Sequence, residues 1–305
     1  MKKCLLLGNG GREAVMAEFI SKGYSLYAVL PYENPSIVEF IAKSQGKYTI
    51  GDPFNKELVG KFIVENEIDT CIISSDNLLR DGLIDLARAL NLKTFGATSM
   101  GAKIEWSKTY ALDIVEKLAP EMIIKNYNID NEQDLEYAIE TYKGDDFVVK
   151  PDGLTGGKGV KVGGIHFKGK LEGLEYAKSC LESAGRVIIQ EKVEGEEFTV
   201  MGITDGKNLV ITPTTFDYPY RFDNDLGPGT GGMGCLSFEN GLLPFLSQSD
   251  VDTCANLMRD TIRYVNRDSL EFTGVIYGGF FKCYDGIKFI EFNARFRRSR
   301  STECT

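Results

Sequence analysis

Lys150–Val160 reads KPDGLTGGKGV, and the fold turns on how this stretch is understood. The apolar residues just before it, Phe147–Lys150, read as a β-strand that delivers Lys150 at its end. A glycine-rich flap follows, with a second cation, Lys158, within eight residues. Mobile backbone amides and two ammonium groups suit the phosphates of a nucleotide, where charge must be neutralised and water excluded. The stretch is not a Walker loop, because Gly159 rather than Ser or Thr follows Lys158 and no long helix begins there.

Three further motifs surround this one. Near the end of the chain, Ile290–Arg295 reads IEFNAR. On a strand, Glu291, Asn293 and Arg295 share one face because side chains alternate with a period of two. A carboxylate beside an amide oxygen offers hard ligands to Mg²⁺ (or Mn²⁺), and Arg295 is placed to clamp a transferring phosphoryl group. Between the two lies Gln190–Glu197, QEKVEGEE, an extended acidic linker that follows the apolar strand Val187–Ile189. Such a linker can offer backbone groups to an adenine edge and a carboxylate to ribose; taken alone, such a segment is more often a solvated acidic turn. At the other end of the chain, Gly8–Glu13 reads GNGGRE between the first strand and the first helix. Glycines there let the chain turn tightly and let amides approach an anion. The full G-x-G-x-x-G spacing is missing, so dinucleotide binding is not favoured.

The first hundred residues alternate strand and helix: strands at Cys4–Leu7, Leu26–Leu30, Thr70–Ile73 and Lys93–Phe95, helices at Arg12–Ser21, Ser36–Lys43, Lys56–Asn66 and Leu79–Leu90. Near-continuous apolar strands between amphipathic helices predict a parallel sheet covered on both faces. From Ser107 the pattern changes. It predicts a helix at Lys108–Leu118, a strand at Met122–Lys125 and a helix at Glu132–Tyr142. Longer strands follow at Glu197–Thr204, Asn208–Phe216, Thr273–Tyr284 and Lys288–Asn293, interrupted by a helix at Asp250–Asn266. The segment Asp217–Gly234 holds five glycines, two prolines and no helical period, and it reads as a long loop ordered only by its contacts or a ligand.

The 305 residues suffice for two or three small domains, and 43% hydrophobic with 26% charged residues is ordinary for a globular protein. A net charge of -9 argues against general nucleic-acid or membrane-surface binding, and no apolar run reaches the length needed to span a bilayer. Seven scattered cysteines without a CxxC pair read as reduced thiols, which makes a cytoplasmic setting the expectation.

The order of parts — a Lys-bearing strand, a glycine flap, an acidic linker and a closing ExNxR strand — resembles the ATP-grasp superfamily. The resemblance extends to the phosphoribosylamine–glycine ligase family through GNGGRE, through FGATSMGAKIEWSK (Phe95–Lys108) and above all through GPGTGGMG (Gly227–Gly234). It implies an α/β chain: a Rossmann-like parallel sheet over residues 1–104, then an α+β ATP-grasp fold over 105–296 with a lid subdomain at about 121–190. Residues 297–305 form an atypical tail where the family continues into a C-terminal domain, which this sequence is expected to lack.

The roles that follow are those implied by the resemblance. Lys108 and Lys150 contact ATP phosphates, under a flap that includes Gly156, Gly157, Lys158 and Gly159. Glu191 and Val193 hold adenine and Glu197 the ribose. Glu291 and Asn293 bind Mg²⁺, while Lys150 and Arg295 act on the transferred phosphoryl. Gly10, Gly11, Asp217, Arg221, Gly231, Gly232 and Met233 face the substrates, glycine and phosphoribosylamine. The sequence leaves monomer and homodimer open, and its net charge leads us to expect no nucleic-acid or membrane partner. The sequence departs from the family at Ser74–Arg80 (SSDNLLR), where a Pro-Glu-Ala-Pro-Leu loop is usual, and at Tyr218–Phe222 (YPYRF), where a Lys-Arg pair is usual. The strand Gly274–Phe281 has no carboxylate for a further metal ligand. These departures keep two alternatives open: a ligase for another carboxylate and amine, and a nucleotide-binding paralogue without ligase activity.

Overall fold

The computed structural model describes residues 1–154, 159–223 and 226–296. The amino-terminal part runs β1 (Lys3–Leu7), α1 (Gly11–Ser21), β2 (Ser25–Leu30), α2 (Pro35–Lys43), β3 (Lys47–Ile50), α3 (Lys56–Glu65), β4 (Thr70–Ile73), α4 (Asp76–Arg80), α5 (Leu83–Ala89) and β5 (Lys93–Phe95). Its five strands form one parallel sheet in the order β3-β2-β1-β4-β5. The central strand is buried on both faces: Leu5 and Leu7 face one core cluster, Leu6 the other. That accounts for its continuous apolar run.

Two details differ from expectation. β3 (KYTI) has no apolar run, and it is an edge strand defined by pairing with β2 rather than by burial. The helix expected over Leu79–Leu90 is divided at Gly82, which takes a left-handed conformation with φ 77° between α4 and α5.

Next come α6 (Lys103–Trp106), α7 (Lys108–Leu118), β6 (Asn126–Ile129), α8 (Glu132–Glu140), β7 (Phe147–Pro151), β8 (Lys161–Val162), α9 (Gly169–Ala184) and β9 (Val187–Glu191). Strands β6-β9-β7-β8 make a second, antiparallel sheet, with α8 and α9 packed over a core that includes Leu135, Phe147, Phe167 and Ile189. The strand expected at Met122–Lys125 lies four residues later, because Pro120–Met122 forms a 3₁₀ turn first.

The third part contains β10 (Glu196–Thr204), β11 (Leu209–Ile211), β12 (Phe216–Phe222), β13 (Leu226–Leu236), α10 (Gln248–Val265), β14 (Gly274–Cys283) and β15 (Gly286–Asn293). The order β11-β10-β14-β15 forms an antiparallel sheet. Its apolar face carries a chain of rings, Phe198–Phe280–Phe289–Phe292, with centroids 5.8, 6.1 and 4.5 Å apart. The loop expected over Asp217–Gly234 is instead largely strand: β12 and β13 pair antiparallel with two register shifts. Glycine-rich sequence has weak strand propensity, so its partner rather than its composition decides the pairing.

The largest core cluster draws on all of these parts, from Leu5 and Ile73 through Ile104, Leu112 and Ile188 to Phe289. Close backbone approach also fixes particular glycines. A Cβ on Gly46, between α2 and β3, would lie 1.7 Å from the Leu26 carbonyl oxygen. Gly46→Ala is therefore expected to destabilise the protein by about 2–3 kcal/mol, through overpacking against backbone that cannot yield. Urea unfolding would read this as a lowered midpoint at unchanged slope, and a wild-type midpoint would refute it.

Candidate active site

Strand β7 carries Lys150 one residue before its end; the side chain is buried at 9% exposure, and the residue pairs across the sheet with Ile188 of β9. The neighbouring cation, Lys108, begins α7; its Nζ donates to the carbonyls of Pro151 (3.1 Å) and Gly153 (2.7 Å). Asp152 holds this arrangement together. Its carboxylate accepts the Lys108 N–H at 2.6 Å and the Thr109 hydroxyl at 2.7 Å, so it caps α7 and fixes the start of the flap to the helix.

Opposite stands β15. A bulge at Ile290 interrupts its pairing with β14, so that Gly279 faces Glu291 while Phe280 faces Phe289. The extra residue leaves Phe289 and Phe292 in the core and aims Glu291 and Asn293 into the cavity. The strand ends at Asn293, yet Arg295 reaches the same cavity from the bend that follows.

One cavity gathers Lys108, Lys150, Glu291, Asn293 and Arg295 with Arg12, Asp76, Glu105 and Gln190. Ile104, Leu112, Ile188, Phe289 and Phe292 supply an apolar wall, which suits an aromatic base beside a charged tail. Burial pushes the Lys150 pKa down to about 8, although Glu291 pulls it back. Lys108 is lowered as well, chiefly by burial and again opposed by Glu291. Glu105 is buried at 8% exposure. It accepts the Ala294 N–H at 2.8 Å and pairs with Arg295 Nη2 at 2.8 Å, while Asp76 lies 3.3 Å from the same nitrogen. Burial pushes the Glu105 carboxyl up, and Arg295 opposes that rise.

The other expected residues lie as follows. Glu191 is exposed at the end of β9 and lines a separate cavity with Lys125 and Tyr142. Val193 and Glu197 are half-buried and do not line the main cavity, though the charge of Glu197 acts on Lys150. Gln190, the residue before Glu191, does line it, at 2% exposure, with a buried Nε2 that has no hydrogen-bond partner among the described residues. Gly10 caps α1 and donates its N–H to Glu13 Oε2 at 2.8 Å; Gly11 is exposed beside it. Asp217 is buried in β12, Arg221 is exposed with its guanidinium 5.7 Å from the Phe222 ring centroid, and Met233 is 61% exposed. Gly231 and Gly232 lie within β13, and this hairpin reaches the cavity through Thr230. Gly156, Gly157 and Lys158 fall outside the described residues. Gly159 accepts a hydrogen bond from the Tyr176 hydroxyl at 2.8 Å.

Sequence reasoning missed Arg12, Asp76, Glu105, Asp152 and Gln190 as members of this site. Arg12, Asp152 and Gln190 lie inside the quoted motifs, and Asp76 lies in the SSDNLLR segment. Glu105 lies inside the quoted Phe95–Lys108 stretch, in a helical turn where nothing local marks a buried charge.

The Lys150 shift has a consequence for stability. Between about pH 8 and 10.5 the unfolded chain keeps a proton that folded Lys150 has released. This group's penalty is therefore full below pH 8 and fades as pH rises to 10.5. Lys150→Met is expected to melt higher than wild type at pH 7, with the gap closing by pH 10.5, and to bind ATP at least about tenfold more weakly. Melting curves across that pH range and ATP calorimetry measure both; equal melting at pH 7 would refute the burial penalty.

Residues 106–300 match the ATP-grasp (A) domain of phosphoribosylglycinamide synthetase, and residues 2–105 match its N domain. Phosphoribosylamine–glycine ligase of Methanobrevibacter smithii is 36% identical over 298 residues, covering 96% of this chain and 67% of its own length. The Pyrococcus furiosus protein of the same name is 35% identical over 97% of this chain and 66% of its own. The chain thus spans about two thirds of these relatives. Among solved structures, phosphoribosylamine–glycine ligase from Thermotoga maritima superposes with a TM-score of 0.75 at 24% identity, covering 98% of this chain and 70% of that one. An ADP complex of N5-carboxyaminoimidazole ribonucleotide synthetase gives 0.72 at 16%, over 98% and 71%. Both share the fold.

Proposed function

Since the chain belongs to the phosphoribosylglycinamide synthetase family, we propose that it joins glycine to 5-phosphoribosylamine at the expense of ATP, the glycinamide ribonucleotide step of purine synthesis. The observation that carries this reading is the convergence of Lys108, Lys150, Arg295, Glu291 and Asn293 on one cavity with an apolar wall.

The cavity chemistry follows from its charges. The apolar wall takes the base, and Gln190 Nε2 is a buried donor at its edge. Lys108 and Lys150 meet the phosphates, which stabilise the positive charge on Lys150 that burial disfavours. Glycine's carboxylate oxygen attacks the γ-phosphorus and ADP leaves, giving an acyl phosphate. The amine nitrogen of phosphoribosylamine then attacks the acyl carbon; phosphate departs and the amine loses a proton. Arg295, held from behind by Glu105 and Asp76, is preorganised to stabilise the transferring phosphoryl oxygens. The remaining work is positioning and exclusion of water.

Glu291 and Asn293 lie side by side, Asn293 Nδ2 being 3.3 Å from Glu291 Oε1. One carboxylate and one carboxamide fit Mg²⁺, which takes few protein oxygens and completes its shell with phosphate and water. Among the described residues no group of three or more His, Cys, Asp or Glu could hold a metal ion. Bound with ATP at Glu291 and Asn293, Mg²⁺ would neutralise developing charge on the phosphoryl oxygens. Among the described residues no helix is long and apolar enough to cross a membrane. Six cysteines there are free thiols, which supports a cytoplasmic setting.

In a coupled assay, ADP release should require glycine and phosphoribosylamine together. Arg295→Met should lower kcat by about 100-fold or more with a smaller change in the KM for ATP. Turnover that ignores glycine but responds to another carboxylic acid would replace this substrate assignment. Absence of ATP binding would remove the enzyme reading altogether.

A further inference from the structure

A second guanidinium faces the cavity, and the phosphoryl-transfer chemistry leaves it without a task. Arg12 sits in the first turn of α1, and its side chain is 14% exposed. Its Nη1 donates to the Ser74 carbonyl. Its Nε is buried with no hydrogen-bond partner among the described residues. Glu13 Oε1 lies 3.7 Å from that nitrogen, beyond hydrogen-bond reach, and the other oxygen of Glu13 is committed to the Gly10 N–H. Arg295 is differently placed, with carboxylate oxygens of Glu105 and Asp76 at 2.8 and 3.3 Å.

The two guanidinia are close enough to feel one another. Burial first, and then Arg295, press the Arg12 pKa down, against the pull of Glu13, Glu105 and Asp76. A buried donor left without an acceptor costs free energy, and two like charges on one cavity add to that cost. An oxyanion lying between them would relieve both, and the planar fork of arginine matches a carboxylate or phosphate in two-point contact. The nearby carboxylates of Glu105 and Asp76 are paired with Arg295, which moderates their repulsion of an incoming anion.

Building on the ligase reading, we infer that Arg12 is a substrate-binding residue. It takes an oxyanion of a small substrate, the amino-acid carboxylate or the sugar phosphate, on the cavity side shared with Arg295. Arg12, like Asp76, comes from the amino-terminal sheet domain, whereas Lys108 and Lys150 come from the ATP-grasp part, so that nucleotide and acceptor are held by different segments of one cavity.

The test is equilibrium dialysis of the full chain, held with ADP and Mg²⁺, against labelled glycine and, separately, ribose 5-phosphate. Arg12→Gln keeps a donor for the Ser74 carbonyl, and Arg12→Lys keeps the charge. Expected is a loss of about 10- to 100-fold in affinity for one of the two ligands in Arg12→Gln, a smaller loss in Arg12→Lys, and ADP affinity within about twofold of wild type. Loss for glycine identifies the carboxylate as the bound group, and loss for ribose 5-phosphate identifies the phosphate. Wild-type affinity for both ligands in Arg12→Gln would overturn the inference. So would an equal fall in ADP affinity, which marks general disruption, or binding of neither ligand by wild type that holds ADP. Failure of wild type to hold ADP strikes the ligase reading instead. The Arg12 assignment then stands as an oxyanion site if either ligand still binds and is lost on substitution.

Discussion

The buried pairing of Glu105 with Arg295 is the constraint on which the site rests. It joins a short helix at the head of the ATP-grasp part to the residues just beyond its last strand, 2.8 Å apart across the fold. A second bond, from the Ala294 N–H to the same carboxylate, leaves the backbone there little freedom. Neither charge could be kept in this interior alone, since an unpaired buried ion costs several kcal/mol. The pair is therefore a condition for having a guanidinium at the cavity at all. Asp76, from a third segment, completes the enclosure.

The same cavity concentrates charge that folding alone would disfavour. Lys108 and Lys150 are both held below their ordinary basicity by burial, and Glu291 offsets only part of that. A site that is uncomfortable when empty has its discomfort relieved by an anionic ligand, so part of the binding free energy for polyphosphate is stored in the folded protein. The aromatic chain from Phe198 to Phe292 gives this charged floor a rigid apolar backing. The Ile290 bulge keeps Phe289 and Phe292 in this backing while Glu291 and Asn293 line the cavity.

Much of the fold was legible from side-chain period and glycine placement. The parallel sheet followed from apolar runs buried on both faces, and Lys150, Glu291 and Asn293 followed from motifs whose chemistry is local. What escaped was set by partners far away in the chain. β3 lacks a hydrophobic signature because it is an edge strand. The glycine-rich segment became β13 only because β12 pairs with it. Gln190, rather than Glu191, lines the cavity because alternate residues of β9 face opposite sides of the sheet.

From sequence alone came the types of element, their order and the residue types able to meet phosphate and metal, because these depend on neighbours a few positions apart. Which charges stand together was decided by tertiary structure. Arg12, Asp76, Glu105 and Arg295 lie on four segments spread along the chain and meet only when the sheet domain packs against the ATP-grasp part. Electrostatic coupling depends on distance and on the exclusion of water, and neither is a property of position along the chain.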